Sequence, residues 1–223
     1  MTLNWVMFFP ALLLLFVPAE IFFPKHIRLK ILAHIDFSEP KVRRRGPWQL
    51  PVAWVDGIRS FLGAWLLYNA WEIEPMSGWI RHLSMVYSFI ILTLSIVVQM
   101  HTKRSKGFFL APVVYSIGIW LALIPMPVAL VAVAAGTVCM VAFRSLAAFF
   151  FFGAAMLGGF GVVVLHTGPW GMVVTVLGLL PCLLSVISGR PLSVPIKAEL
   201  VKDHSRAIVA EVRAQSLGVH SAG

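Results

Sequence analysis

From Val128 to Leu165 the chain runs 38 residues with a single charged side chain, Arg144. As one helix rising 1.5 Å per residue, this stretch would be about 57 Å long, nearly twice the ~30 Å hydrocarbon thickness of a bilayer. It must fold back or break. A tight hairpin at Phe143, Arg144 and Ser145 would divide it into two spans. A single long, kinked helix is the alternative, because those three residues include neither Gly nor Pro, the usual breakers.

The rest of the chain is cut to the same length. Apolar runs recur at Asn4 to Phe23, Val52 to Trp71, Ile80 to Met100, Phe108 to Ile124 and Met172 to Ser188, each close to the ~20 residues a transmembrane helix needs. With 59% hydrophobic residues, 12% charged and a mean hydropathy of +0.89, there are too few polar side chains to clothe a soluble globule. The expected fold is all-α, a polytopic transmembrane helix bundle of about seven spans over residues 1–189. The first run lacks a basic leading region and a small-residue cleavage site, so it counts as a span and not as a signal peptide.

Charge sets the expected orientation. Lys25, Arg28, Lys30, Lys41, Arg43, Arg44 and Arg45 supply seven of the 18 Lys and Arg residues and crowd into the loop 25–51; Lys103, Arg104 and Lys106 lie two spans later. Basic loops stay in the cytoplasm, which puts the N-terminus outside. The tail 190–223, with Arg190, Lys197, Lys202, Arg206 and Arg213, then lies inside. A six-span chain would put that tail outside, against the charge rule. The expected location is the inner membrane of a bacterium.

The net charge of +9 is thus a record of topology, and nucleic acid is not an expected partner. The bilayer is, with anionic lipid drawn to the basic cytoplasmic face. In the tail, Ile196, Leu200, Ala207 and Ala210 or Val212 fall near one helical face. That spacing suits an amphipathic helix lying on the inner leaflet, or equally a solvated helix packed on the cytoplasmic loop.

Polar side chains inside the spans mark where a site could lie. Asp56 and Arg59 are three residues apart in VDGIRSFLGAWLL and so share a helix face and can pair. They would sit about 8 and 12 Å from the cytoplasmic end of their helix, with Glu20 at a similar depth as a second partner. An anchoring ion pair and part of a polar site are both compatible with that spacing. Arg144, in the hairpin, reads as a positive-inside residue.

A second polar group gathers at the outer surface: Asn69, Glu72, Glu74, Arg81 and His82 around one turn, and His166 in another external loop. Two histidines at one depth could bind a metal or serve a proton-linked step, but solvated loop residues explain them as well. No metal or other cofactor is expected. Gly153, Gly158, Gly159 and Gly161 in GAAMLGGFG are candidates for close helix packing. Cys139 and Cys182 lie in apolar runs and behave as small hydrophobes.

The chain has no Walker loop, HExxH, GxSxG or CxxC motif, no Lys inside a span and no Arg ladder, so no catalytic residue is assigned. The reading these features favour is a transporter or channel for a small or amphipathic solute. Glu20, Asp56 and Arg59 would line its cytoplasmic vestibule, and Glu72, Glu74 and His82 its outer mouth. Between them the spans offer mainly Ser88, Thr93, Ser95, Ser116 and Thr137, thin for an ion. The alternative is a non-catalytic subunit of a membrane complex, with a membrane-protein partner or a second copy of itself. A lipid-modifying enzyme has only the interfacial acids and histidines in its favour.

Overall fold

The computed structural model describes residues 2–17, 29–32, 51–72, 78–101, 109–164, 168–190 and 192–197. Among them lie seven helices: α1 (Trp5–Phe16), α2 (Pro51–Asn69), α3 (Gly78–His101), α4 (Val113–Leu123), α5 (Met126–Phe143), α6 (Leu146–Met156) and α7 (Gly168–Ser188). A π-helical segment, Leu157–Val164, extends α6 through its glycines. Within α3, α5 and α7, the stretches Leu83–His101, Met126–Phe143 and Pro169–Ser188 are long and apolar enough to cross a membrane.

The other helices depart from the expected lengths. The first run was expected to be helical from Asn4 to Phe23, but α1 ends at Phe16, where Val17 turns extended (φ −70°, ψ 122°) one residue before Pro18. A residue preceding proline is driven out of the helical region. Likewise α4 begins at Val113, behind Pro112, and not at Phe108. At 12 and 11 residues, α1 and α4 are about 18 and 16 Å long.

The long apolar stretch breaks where expected. Arg144 adopts the left-handed conformation (φ 50°, ψ 33°). Its N–H donates to Val141 O at 3.4 Å, and that of Ser145 to Met140 O at 3.2 Å. This is the Schellman arrangement, normally built on glycine. The single long helix is thereby excluded, and α5 and α6 lie against each other as a hairpin.

Among the described residues, five short strands sit at the helix ends. β1 (Thr2–Leu3) pairs antiparallel with β3 (Trp71–Glu72), Thr2 opposite Glu72. Toward the other end of the bundle, β5 (Leu192–Lys197) is central in a three-stranded sheet, antiparallel to β2 (Leu29–Leu32) and parallel to β4 (Phe109–Leu110). The described residues are mostly helical, as expected, with these short strands added; Ile196, expected on a tail helix, instead stands opposite Lys30 in the sheet. Val194 before Pro195 is biased to extended backbone, and β-branched Val194 and Ile196 suit a strand. The remainder of the tail, 198–223, and most of the basic loop lie outside the described residues.

Two packing centres hold the helices. In one, the buried Trp120 ring of α4 stacks on Phe149 of α6 (centroids 5.6 Å apart, planes 5° from parallel). Gly153 and Gly178 make room for it: a Cβ would lie 2.7 Å from Trp120 Cη2 at the first and 3.1 Å from Cζ2 at the second. In the other, α2 and α4 touch backbone to backbone. A Cβ on Gly118 would stand 2.9 Å from Phe61 N and closer still to Ser60 Oγ and Gly57 O. Gly63 admits Leu15 of α1 to a neighbouring face of α2.

The outward faces are as apolar as the core. Phe9, Leu13, Ile58, Leu94, Val138, Phe151, Val176 and Ile187 are all exposed large hydrophobics. Helices apolar all round are those of a membrane span or of the interior of a larger assembly.

Candidate functional site

The most deeply buried charge among the described residues is Arg59, whose side chain is 4% exposed. Its Nη2 donates to Asp56 Oδ1 at 2.8 Å, one turn earlier on α2. Asp56, at 30% exposure, lies nearer the rim. The i, i+3 spacing therefore does what the sequence indicated and joins acid to base on one face.

The guanidinium does not face lipid. Its Cζ lies 5.5 Å from the centre of the Tyr115 ring, a distance at which a cation is attracted to the ring face. Tyr115 occupies the first turn of α4 and is itself buried. Its hydroxyl donates to Leu15 O at 2.9 Å, and Gln99 Nε2 of α3 donates to the same oxygen at 3.2 Å. Leu15 belongs to the last turn of α1, where carbonyls have no partner within the helix. Two side chains from two other helices supply the missing donors.

One polar network thus ties four helices together near a common end of the bundle. Along α3 it continues as buried Ser95, Ser88 and Ser84. Ser95 Oγ donates to Leu92 O at 2.8 Å and adjoins the Tyr115 phenol, while Ser88 Oγ accepts from Trp71 Nε1 at 2.9 Å. On α2, Ser60 Oγ donates to Gly57 O at 2.9 Å. Among the described residues, four groups are sealed from the surface without a hydrogen-bonding partner: Arg59 Nε, Arg59 Nη1, Thr93 Oγ1 and Ser116 Oγ.

The other charged and histidine residues singled out from the sequence lie elsewhere or are not described. Arg144 is exposed at the end of α5. Glu72 falls in β3 and His82 in α3, where only the backbone is described, while Glu20, Glu74 and His166 lie outside the described residues. Of the small residues, Gly153 faces Trp120, and Gly158 would bring a Cβ to 3.1 Å from Thr175 Cγ2 of α7. Gly161 is buried, and a Cβ on Gly159 would meet nothing within 4 Å. Of the polar residues expected at mid-span, Ser88, Ser95 and Ser116 are buried, and Thr137 is bonded back to Val133 O at 2.7 Å.

Tyr115, Gln99 and the Leu15 carbonyl were not foreseen. Tyr115 and Gln99 are polar side chains set in apolar runs, which marks them as candidates but says nothing of the carbonyl they share. Among the described residues no group of three or more His, Cys, Asp or Glu side chains is placed to hold a metal ion. Comparison of the chain with protein-family models, with curated proteins and with solved structures returned no match.

Proposed function

We propose that the chain is a multi-pass protein of a bacterial inner membrane that passes a small or amphipathic solute, with the Asp56, Arg59 and Tyr115 cluster as its polar site. The observation that carries this reading is the burial of Arg59 with two of its three nitrogens unsatisfied among the described residues. A guanidinium kept only to anchor two helices would be expected to have its donors satisfied, because each unmade bond in a dry interior costs about 1–3 kcal/mol. Apolar outer faces on α2, α3, α5, α6 and α7 and three helices of spanning length support the membrane setting. The basic loop 25–51 then faces the cytoplasm and anionic lipid.

The test is flux through liposomes containing the purified protein, with Asp56→Arg and Arg59→Asp made singly and together. A structural pair is rescued when the two charges are exchanged; a polar site that reads a solute stays inactive although the exchanged protein folds. Recovered flux in the double variant would refute the site.

One observation favours a second reading, the subunit of a membrane complex. On α6 and its extension, Phe151, Ala155 and Gly159 form an exposed line, with a notch at Gly159 that nothing fills. Mild extraction from the native membrane and mass determination decides between them. A stoichiometric protein partner favours the complex, a lone chain or homo-oligomer the transporter.

A further inference from the structure

The buried side of α3 is divided lengthwise. Ser84, Ser88, Leu92, Ser95 and Gln99 follow one another at intervals of 4, 4, 3 and 4 residues, a spacing that puts them on one helix face. All five are buried, and Leu92 is the only apolar one. Beside them Met85, Ile96 and Met100 form a second buried face that is wholly apolar. From Ser84 to Gln99 the polar face is about 22 Å long, most of the ~30 Å of a bilayer core. A face kept small for close helix packing would not carry Gln99 and Leu92; what its other members share is the ability to hydrogen-bond.

An aromatic side chain covers this face toward each end, and each reaches a serine through its polar atom. Near the β3 end, Trp71 Nε1 donates to Ser88 Oγ at 2.9 Å. The indole is half-buried, with the Tyr87 ring stacked on it (centroids 6.1 Å apart) and Phe8 set edge to face at 6.0 Å. Toward the other end the Tyr115 phenol adjoins Ser95 and donates to Leu15 O at 2.9 Å. The Tyr115 ring also lies against the guanidinium of Arg59, which is 4% exposed and has Nε and Nη1 unpartnered among the described residues. Between the two covers stands Leu92, fully buried. It parts Ser88 from Ser95, about 10 Å apart along the helix.

We propose that this polar face of α3 is the route through the bundle, closed by Trp71 toward the β3 end and by Tyr115 toward the other, with Leu92 as the seal between its two halves. The route deepens the transport reading and rests on it for what passes; whether the face opens to water can be measured with no solute present.

The experiment is thiol labelling of the full chain in sealed vesicles, in a background carrying Cys139→Ala and Cys182→Ala. Ser88→Cys and Ser95→Cys are compared with Ile90→Cys, a position on the exposed side of the same helix. The reagent is a charged methanethiosulfonate added from one side at a time, and a final treatment in dodecyl sulfate shows that every thiol is present. A thiol held in lipid stays protonated and unreactive, so a position on the route should react at least about tenfold faster than Ile90→Cys. Ser88→Cys should do so from the side that reaches a cysteine at Thr2, and Ser95→Cys from the opposite side. Trp71→Phe should speed only the first and Tyr115→Phe only the second, each by about fivefold, the effect of one lost hydrogen bond on an equilibrium. Leu92→Ala should let the reagent reach Ser95→Cys from the Thr2 side as well. If Trp71→Phe does not fold, Tyr87→Leu loosens the same cover by removing the ring stacked on it.

If Ser88→Cys and Ser95→Cys react no faster than Ile90→Cys, the face is a packing seam and the route is overturned, whatever flux liposomes show. Rates unchanged by Trp71→Phe and Tyr115→Phe overturn the two covers. Equal labelling of both thiols from both sides with Leu92 in place overturns the seal. Labelling as expected in a protein that passes no solute upholds the opening and counts against transport, so the two can fail separately.

Discussion

The close crossing of α2 and α4 makes Gly118 the position least able to accept a side chain. A methyl there would lie 2.9 Å from Phe61 N, and nearer still to Gly57 O and Ser60 Oγ. Two of those three atoms are backbone, so no rotamer change relieves the overlap. Restoring carbon contacts of ~3.5 Å requires the helices to part by roughly 1 Å. Parting them loosens the surface on which Val114 packs against Gly57 and lengthens the reach from Arg59 to Tyr115.

Overpacking of this kind costs about 1–3 kcal/mol, and the backbone contacts put Gly118→Ala at the upper end. The control is Gly159→Ala, which adds the same methyl where nothing lies within 4 Å and should change stability by no more than about 0.5 kcal/mol. Unfolding in mixed micelles with increasing dodecyl sulfate, followed by circular dichroism, measures both. If the two variants unfold alike, α2 and α4 do not pack as closely as described.

Four further outcomes are expected. Tyr115→Phe and Gln99→Leu each remove one donor from Leu15 O, at about 1 kcal/mol apiece; together they orphan a buried carbonyl, so the double variant should lose more than the sum, and strict additivity in the same unfolding assay counts against the shared acceptor. Arg144→Gly relieves a left-handed residue and should stabilise by about 1 kcal/mol, read as a later midpoint; a loss would contradict the hairpin geometry. Trp120→Ala leaves a cavity lined by Phe149, Gly153 and Gly178 and should cost about 3–5 kcal/mol, a lesser effect showing that the ring is not central. Single cysteines at Thr2 and at Ser145 should react with a membrane-impermeant thiol reagent from opposite sides of sealed vesicles, and labelling from one side only would refute an odd number of spans between them.

What could be read from the sequence followed from lengths, and what could not followed from contacts between distant residues. Bilayer thickness alone demanded a break in Val128 to Leu165, and Arg144 supplies it with a left-handed residue that gives no compositional signal. The same length rule overran in α1 and α4, because proline's effect on its neighbours ended the helices inside runs that hydropathy treats as continuous. The pairing of Asp56 with Arg59 was legible because helical periodicity fixes which residues share a face. Tyr115 and Gln99 were not legible, since each meets the Leu15 carbonyl across a sequence separation of 100 or 84 residues, and no local pattern encodes that. Glycines show the division most clearly. The conspicuous cluster from Gly153 to Gly161 includes Gly159, where a Cβ would meet nothing within 4 Å, whereas at the solitary Gly118 a Cβ would run into the backbone of α2. A small residue becomes a packing site only when the topology brings a partner helix over it, so the pair Gly57 and Gly118 could be recognised only once α2 and α4 were seen side by side. That crossing is also what presses Tyr115 onto Arg59, so the packing and the polar site stand or fall together.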